Sequence, residues 1–179
     1  MTVMAWEIVK WIVFAVVLIF AVMALTGAPY VPSLVSELKL VFTKLYKLSN
    51  KDLVVDLGSG DGVVLKVASD FGAKAFGVEL NPFLVLLTKW RLRKRKGVSV
   101  KCGNLFKVDF PAETTVGYLF GDGRDIKGMM ETIQTQASKP DHDLYVISHA
   151  FELPGPKPVK KHRAYFLYKI SHKLIIIEL

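Results

Sequence analysis

The sequence predicts an α/β protein in which one N-terminal transmembrane helix precedes a doubly wound, mostly parallel sheet that ends in a β-hairpin. Three observations lead to this prediction. From residue 33 onward, short apolar runs alternate with stretches of helical periodicity, which is typical of strand–helix–strand units. A glycine-rich turn, "GSGDG", follows the first apolar run. Residues 11–28 contain no charged side chain. The alternation and the turn together indicate a Rossmann-like arrangement.

Residues 1–28 are predicted to be a membrane anchor, and residues 29–179 a single domain. As a helix, the uncharged run would reach roughly 27 Å, close to the ~30 Å hydrocarbon core of a bilayer. We therefore expect residues 5–28 to cross the lipid as a single span. Trp6 and Trp11 near one end resemble interfacial anchors.

Two other interpretations of this segment remain open. It could be a cleaved signal peptide, although no A-x-A cleavage site is present, or a buried helix of a soluble protein. If it is an anchor, the lysines that follow it place the domain on the cytoplasmic side of the membrane, or on an equivalent reducing side.

The spacing of apolar residues predicts the elements of the domain in chain order. A helix over "SLVSELKLVFTKLYKLS", with Ser33 as its N-cap, comes first. Three strands follow, "DLVVDLG", "AKAFGVEL" and "VSVKCGN", and they are separated by helices over "DGVVLKVASDFG" and "NPFLVLLTKWRLRKRKG". Two more strands, "TTVGYLFGDG" and "DLYVISHA", flank a helix at about residues 125–138. The runs "AYFLYKI" and "KLIIIEL" are predicted to form the closing hairpin.

Charge and cysteine content narrow the class of protein only in part. The net charge of +8 suits anionic lipid, nucleic acid or simple solubility. The basic runs "KWRLRKRKG" and "KPVKKHR" are interpreted as solvated faces or as contacts to lipid headgroups. Thin aromatic interleaving argues against nucleic acid as their partner. The single Cys102 excludes an internal disulfide framework, and the four histidines lack metal-ligand spacing, so no metal site is predicted.

The glycine-rich turn predicts a nucleotide-like ligand without phosphates. Its spacing is G-x-G-x-G, at residues 58–62, and not the G-x-G-x-x-G of dinucleotide-binding folds. Asp56 and Asp61 flank the turn, and such acids disfavour a pyrophosphate but suit an amine or a sulfonium. Glu79, at the end of the second strand, is placed to accept hydrogen bonds from ribose hydroxyls. A nucleoside with a cationic amino-acid tail is S-adenosylmethionine, which we predict as the cofactor.

The segments "VVDLGSGDG", "GVELNP" and "GNLF" resemble three motifs of the class I, seven-β-strand methyltransferases that depend on S-adenosylmethionine. The resemblance implies that the turn lines the methionine tail, that Glu79 holds the ribose and that Asn104 and Leu105 border the adenine. The predicted cofactor-binding residues are Asp56, Gly58, Ser59, Gly60, Asp61, Gly62, Glu79, Leu80, Asn81, Asn104 and Leu105.

A closer resemblance covers roughly residues 29–107 and fades beyond them. The chain contains, in order, an apolar segment, "PYVPS", a helix, "VDLGSGDG" and "GVELNP". This order resembles that of the small membrane-anchored protein-lysine methyltransferases of the ADP/ATP carrier and ATP synthase c-subunit type and of their prokaryotic relatives. It implies that Tyr30 and Pro32 line the acceptor entrance; alternatively, "PYVPS" merely ends one helix and caps the next. Tyr30 and Asp122 are candidates for orienting a lysine amine, and no catalytic base is assigned.

The predicted function is therefore a membrane-anchored methyltransferase that methylates lysine side chains of a protein by direct in-line transfer. We expect that protein to be embedded in a membrane. Two alternatives stay open. One is a class I methyltransferase that acts on RNA or on a small lipophilic molecule. The other is a cofactor-binding scaffold without turnover.

Overall fold

The computed structural model describes residues 3–26, 34–121, 126–139 and 142–171. The chain divides into two compact units, Met1–Val31 and Pro32–Leu179. In the described part of the first unit the chain forms helix α1, Val3–Thr26. Several large apolar side chains in its first half, among them those of Trp6 and Trp11, are more than half exposed.

No helix that the structure describes is long and apolar enough to cross a membrane. The predicted transmembrane helix over residues 5–28 is therefore not confirmed.

The second unit begins with a helix that is shorter than predicted. Helix α2, Val35–Leu40, continues through one turn of π-helix, Val41–Leu45, and ends where Tyr46 takes an extended conformation. The predicted cap, Ser33, lies outside the described residues. The side chains of this segment that face the core recur at helical spacing, as the sequence predicts. The buried ones are Leu38, Val41, Phe42, Leu45 and Leu48.

Strands and helices then alternate as the sequence predicts. In chain order they are β1 Leu53–Leu57, α3 Val63–Asp70, β2 Lys74–Glu79, α4 Pro82–Leu92, β3 Val98–Cys102, β4 Val116–Phe120, α5 Ile126–Ala137 and β5 Leu144–His149. A short 3₁₀ turn, Leu105–Lys107, lies between β3 and β4. The described residues form a seven-stranded sheet of order β3-β2-β1-β4-β5-β7-β6, in which β1 to β5 are parallel. The predicted mixed α/β, Rossmann-like fold is confirmed.

The C-terminal hairpin that the structure describes includes a segment that the sequence did not predict to be a strand. Strand β7, Tyr165–Ile170, pairs antiparallel with β5 on one side and with β6, Lys160–His162, on the other. The sequence predicts its partner in "KLIIIEL", which the described part of the chain does not include, so that pairing stays a prediction. On the second edge of β7, β6 pairs with Tyr165–Leu167. Residues 172–179 lie outside the described residues.

The sheet carries an apolar layer on each face. Helices α2, α3 and α4 cover one face, where Phe42, Leu65 and Val85 belong to one buried cluster. Helix α5 covers the other face, where Ile133 packs with β-strand residues. All five residues of β1 are buried, which explains why that strand is a continuous apolar run around a single acid, Asp56. That acid sits next to the carboxyl end of the strand, the end at which doubly wound sheets bind ligands.

Candidate active site

The carboxyl ends of the parallel strands meet at one edge of the sheet and bring the predicted cofactor residues together. Leu57, the last residue of β1, lies beside Val78 of β2 and Leu119 of β4. Glu79 in turn lies beside Cys102, the last residue of β3. In doubly wound sheets this edge is where ligands bind.

The glycine-rich turn is held against the end of β2 by its own backbone. The N–H groups of Gly58 and Ser59 both donate to the carbonyl of Val78, at 2.9 and 3.0 Å. Gly58, Gly60 and Gly62 have φ of 84°, 54° and 80°, the left-handed region that side chains other than glycine rarely adopt. The backbone conformation of the turn therefore favours glycine at all three positions of the G-x-G-x-G spacing.

Two residues that support this turn were not identified from the sequence. The buried Thr88 hydroxyl, on α4, donates to the carbonyl of Gly60 at 3.1 Å, and a Cβ on Gly62 would lie 2.6 Å from the Thr88 methyl group. On β2, a Cβ on Gly77 would lie 2.6 Å from the Ser59 hydroxyl. The turn thus packs on α4 and β2 at contact distance. Gly77 itself, two residues before Glu79, is the only feature of the sequence that indicates the contact between the turn and β2.

Glu79 occupies the position from which a ribose could be bound. Its two carboxylate oxygens accept the N–H groups of Gly60 and Asn81, each at 2.8 Å. Its carbonyl accepts the N–H of Gly103, at 3.0 Å, which ties the loop after β3 to the same edge. Each carboxylate oxygen has a second lone pair, so the group can accept further hydrogen bonds from vicinal hydroxyls.

Asp56 is the buried acid of the site. Burial, together with the negative charges of Glu79 and Asp61, raises the pKa of its carboxyl to about 8. No hydrogen bond reaches this carboxyl from the part of the chain that the structure describes. Asp61 differs, because its carboxylate pairs with the Arg91 guanidinium. The site therefore offers a buried acid that a cationic ligand can ionise, which fits S-adenosylmethionine better than a pyrophosphate.

The remaining predicted cofactor residues show local structural roles. The Ser59 hydroxyl is buried against Gly77 without a hydrogen-bond partner among the described residues. Asn81 caps α4, since its side-chain oxygen accepts the N–H of Phe83 at 2.9 Å. Asn104 caps the 3₁₀ turn in the same way. For these residues, and for the exposed Leu80 and the half-buried Leu105, cofactor contact stays a prediction.

The acceptor side is only partly described. Tyr30, Pro32 and Asp122, the predicted entrance and catalytic candidates, lie outside the described residues. Two rings that the sequence did not single out, those of Phe120 and His149, lie at the ends of β4 and β5. The His149 ring lies 5.0 Å from the Phe120 ring and stacks on the Tyr165 ring at 4.2 Å. Burial lowers the pKa of His149, which keeps this ring neutral near pH 7.

A shallow groove of about 340 Å³ lies elsewhere, between the 3₁₀ turn and α5. None of the predicted cofactor residues lines it, so it is not the cofactor cleft. Over the described ranges, no group of His, Cys, Asp and Glu side chains is placed to hold a metal ion.

The family profile described as "ANTKMT methyltransferase domain" matches residues 56–160. The lysine N-methyltransferase of the ATP synthase c-subunit from Xenopus laevis is 33% identical over 111 residues, which are 60% of this chain and 48% of that protein. A "Protein-lysine N-methyltransferase" of Saccharolobus islandicus is 34% identical over 143 residues, 74% of this chain and 86% of that protein. The chain thus spans about half the length of the Xenopus protein.

Among solved structures, an RNA methyltransferase from Salinibacter ruber in complex with S-adenosyl-L-homocysteine is similar, with a TM-score of 0.70 and 23% identity. The similarity covers 79% of this chain and 94% of that chain. At this identity the likeness shows the fold alone and leaves the acceptor open.

Proposed function

The chain belongs to the ANTKMT methyltransferase domain family, and on that premise we propose that it methylates lysine side chains of a protein substrate. The predicted resemblance to class I methyltransferases, and S-adenosylmethionine as the cofactor, are confirmed by the family match and by the fold. The observation that carries the proposed acceptor is the Saccharolobus islandicus relative named a protein-lysine N-methyltransferase, since the match spans most of both chains.

The geometry of the sheet edge supports binding of this cofactor. When bound, S-adenosylmethionine supplies a methyl group that its sulfonium already activates for transfer. The chain has to hold it and exclude other ligands. Three glycines in the turn at residues 58–62 leave its backbone open to the tail. Glu79 can accept from the ribose, and Asp56 offers a buried carboxyl that a positive charge can ionise. The acceptor amine must approach without its proton, and none of the described groups is assigned as the base.

We also propose, as the finer part of this function, that the segment at residues 5–28 attaches the enzyme to a membrane and that its acceptor lies in a membrane protein. The exposed apolar side chains in the first half of α1 support attachment, because a run of large exposed apolar side chains favours an apolar environment. Placement of residues 29–179 on the cytoplasmic or an equivalent reducing side belongs to the same proposal.

Transfer of label from methyl-labelled S-adenosylmethionine tests the acceptor. The full chain, kept in detergent, is offered three separate pools from cells that lack it: membrane proteins, soluble proteins and total RNA. We expect label in a membrane protein and expect mass spectrometry to place it on lysine. Glu79→Ala should abolish the label. Label in RNA alone would overturn the proposed acceptor, and label in soluble proteins alone would overturn its membrane location.

A further inference from the structure

Helix α4 carries apolar side chains on a second face, besides the face that packs on the sheet. Val85, Thr88 and Leu92 face the sheet and are buried. Three other apolar side chains, all within one and a half turns of the helix, form the outer stripe: Leu86, Leu87 and Trp90. They are 63%, 40% and 64% exposed. A continuous apolar stripe that is this exposed on a helix calls for a partner.

Basic side chains follow the outer stripe at the C-terminal end of α4. Residues 82–97 contain six lysines and arginines and no acid. Arg91 pairs with Asp61, and Arg95 pairs with Asp70. The other four form no ion pair with any acid that the structure describes: Lys89, Arg93, Lys94 and Lys96. The partner that suits this surface is therefore apolar and bordered by negative charge.

We propose that the outer stripe of α4 docks on an anionic lipid surface and so holds the catalytic domain flat against the membrane. Apolar side chains that enter the interface, with lysines and arginines at headgroup level, are the combination that interfacial helices use. Trp90 has the character of an interfacial anchor, and the Arg93 guanidinium lies over its ring at 5.0 Å. This surface belongs to the domain itself, and the proposal does not depend on the acceptor or on a span by α1.

A lipid surface fits these residues better than RNA does. Single-stranded RNA is held by aromatic platforms on which successive bases stack. The most exposed members of the stripe are one tryptophan and one leucine, and aliphatic side chains offer no face for stacking. A stripe in which Leu86 and Leu87 adjoin Trp90, and which cations follow, is complementary to acyl chains below anionic headgroups.

Docking of the stripe would also orient the site. Helix α4 starts three residues after Glu79, at the ligand-binding edge of the sheet, and its inward Thr88 supports the glycine turn. The helix that would lie on the membrane is thus the one whose inward face supports the glycine turn of the cofactor site. A domain held in this way presents its site at a fixed height above the lipid.

The fluorescence of Trp90 reports docking directly. The chain has three tryptophans, so Trp6→Phe with Trp11→Phe leaves Trp90 alone. The full chain with these substitutions is mixed with vesicles of phosphatidylcholine, with or without about 30% phosphatidylglycerol, whose acyl chains carry bromine as a quencher. We expect a blue shift and quenching that are much stronger in the anionic vesicles and that weaken in high salt.

Variants separate the two components of the surface. Lys94→Gln with Lys96→Gln should lower the ratio of docked to undocked protein about thirtyfold, since each charge near the surface contributes about a factor of five. The matched control is Lys157→Gln with Lys160→Gln, which removes the same charge near β6, at the opposite edge of the sheet, and should change quenching little. Leu86→Gln, at a largely exposed position, should reduce quenching without unfolding the domain.

Three results would overturn the proposal. Trp90 could stay unquenched in both kinds of vesicle. It could already be blue-shifted without vesicles and remain inaccessible to the brominated chains, which would mean that a protein segment or a second copy covers the stripe. An RNA oligonucleotide could quench it where vesicles do not, which would identify a nucleic-acid surface. Because none of these readouts needs methyl transfer, their failure is distinguishable from failure of the proposed activity.

Discussion

Binding of S-adenosylmethionine should release a proton, and the proton should come from Asp56. Near pH 7, a carboxyl with a pKa of about 8 is about nine-tenths protonated in the free protein. A cationic ligand that settles beside it favours the ionised form. Between pH 6 and 7 the ligand itself changes little, because a sulfonium does not titrate and an amine is still largely protonated.

The size of the effect follows from that pKa. Ionising Asp56 at pH 7 costs the complex about a factor of ten in affinity, and at pH 6 about a factor of a hundred. The dissociation constant should therefore fall about tenfold from pH 6 to pH 7, with about 0.9 proton released per ligand bound at pH 7. In Asp56→Asn, which has nothing to ionise, both effects should vanish.

Calorimetry in two buffers with different heats of ionisation measures the released proton. The difference in binding heat divided by the difference in buffer heat gives the number of protons. Asp61→Asn is the matched control, since it removes a neighbouring carboxylate that is already paired with Arg91 and leaves Asp56 in place. It should retain most of the release. Equal affinity at pH 6 and 7 for the unmodified protein, with no dependence on the buffer, would refute the reasoning.

Three further predictions concern the residues around the turn. Glu79→Gln should weaken S-adenosylmethionine binding roughly tenfold to a hundredfold in calorimetry, because hydrogen bonds to a charged acceptor are lost; unchanged affinity would contradict the role of Glu79. Gly77→Ala should lower the free energy of unfolding by about 1–3 kcal/mol in denaturant. Gly117→Ala, whose Cβ would meet nothing closer than 3.9 Å, should be tolerated. Equal losses in the two variants would contradict the packing argument. Thr88→Val should cost about 1–3 kcal/mol and weaken cofactor binding, and Thr88→Ser should restore both.

Most of the fold follows from local patterns in the sequence. Apolar runs bounded by glycine and polar residues set β1 to β5, and the alternation with helices requires a parallel sheet. Parallel order in turn brings Asp56, Glu79 and Asn104 to one edge, so their clustering could be predicted without any coordinates. The left-handed backbone at Gly58, Gly60 and Gly62 was likewise implied by residue type.

The tertiary structure decided the features that depend on contacts between distant parts of the chain. The pairing of β7 with Lys160–His162 could not be predicted from composition, because this short strand is basic and exposed, and it gains its place only from a free edge on β7. The end of the domain's first helical segment is a second example. Helical spacing in the sequence continues to Leu48, but the chain leaves the helix at Tyr46, whose hydroxyl donates to the Asp52 carboxylate at 2.8 Å.

The same division holds for the site. The sequence by itself determined which ligand the turn suits, since that depends on glycines and acids adjacent along the chain. Only the tertiary structure decided which acid stays uncompensated. Arg91, thirty residues away in the chain, neutralises Asp61, whereas burial between neighbouring strands isolates Asp56 and raises its pKa. Desolvation and charge pairing act through space, and spatial neighbours on different elements are not encoded by any local pattern.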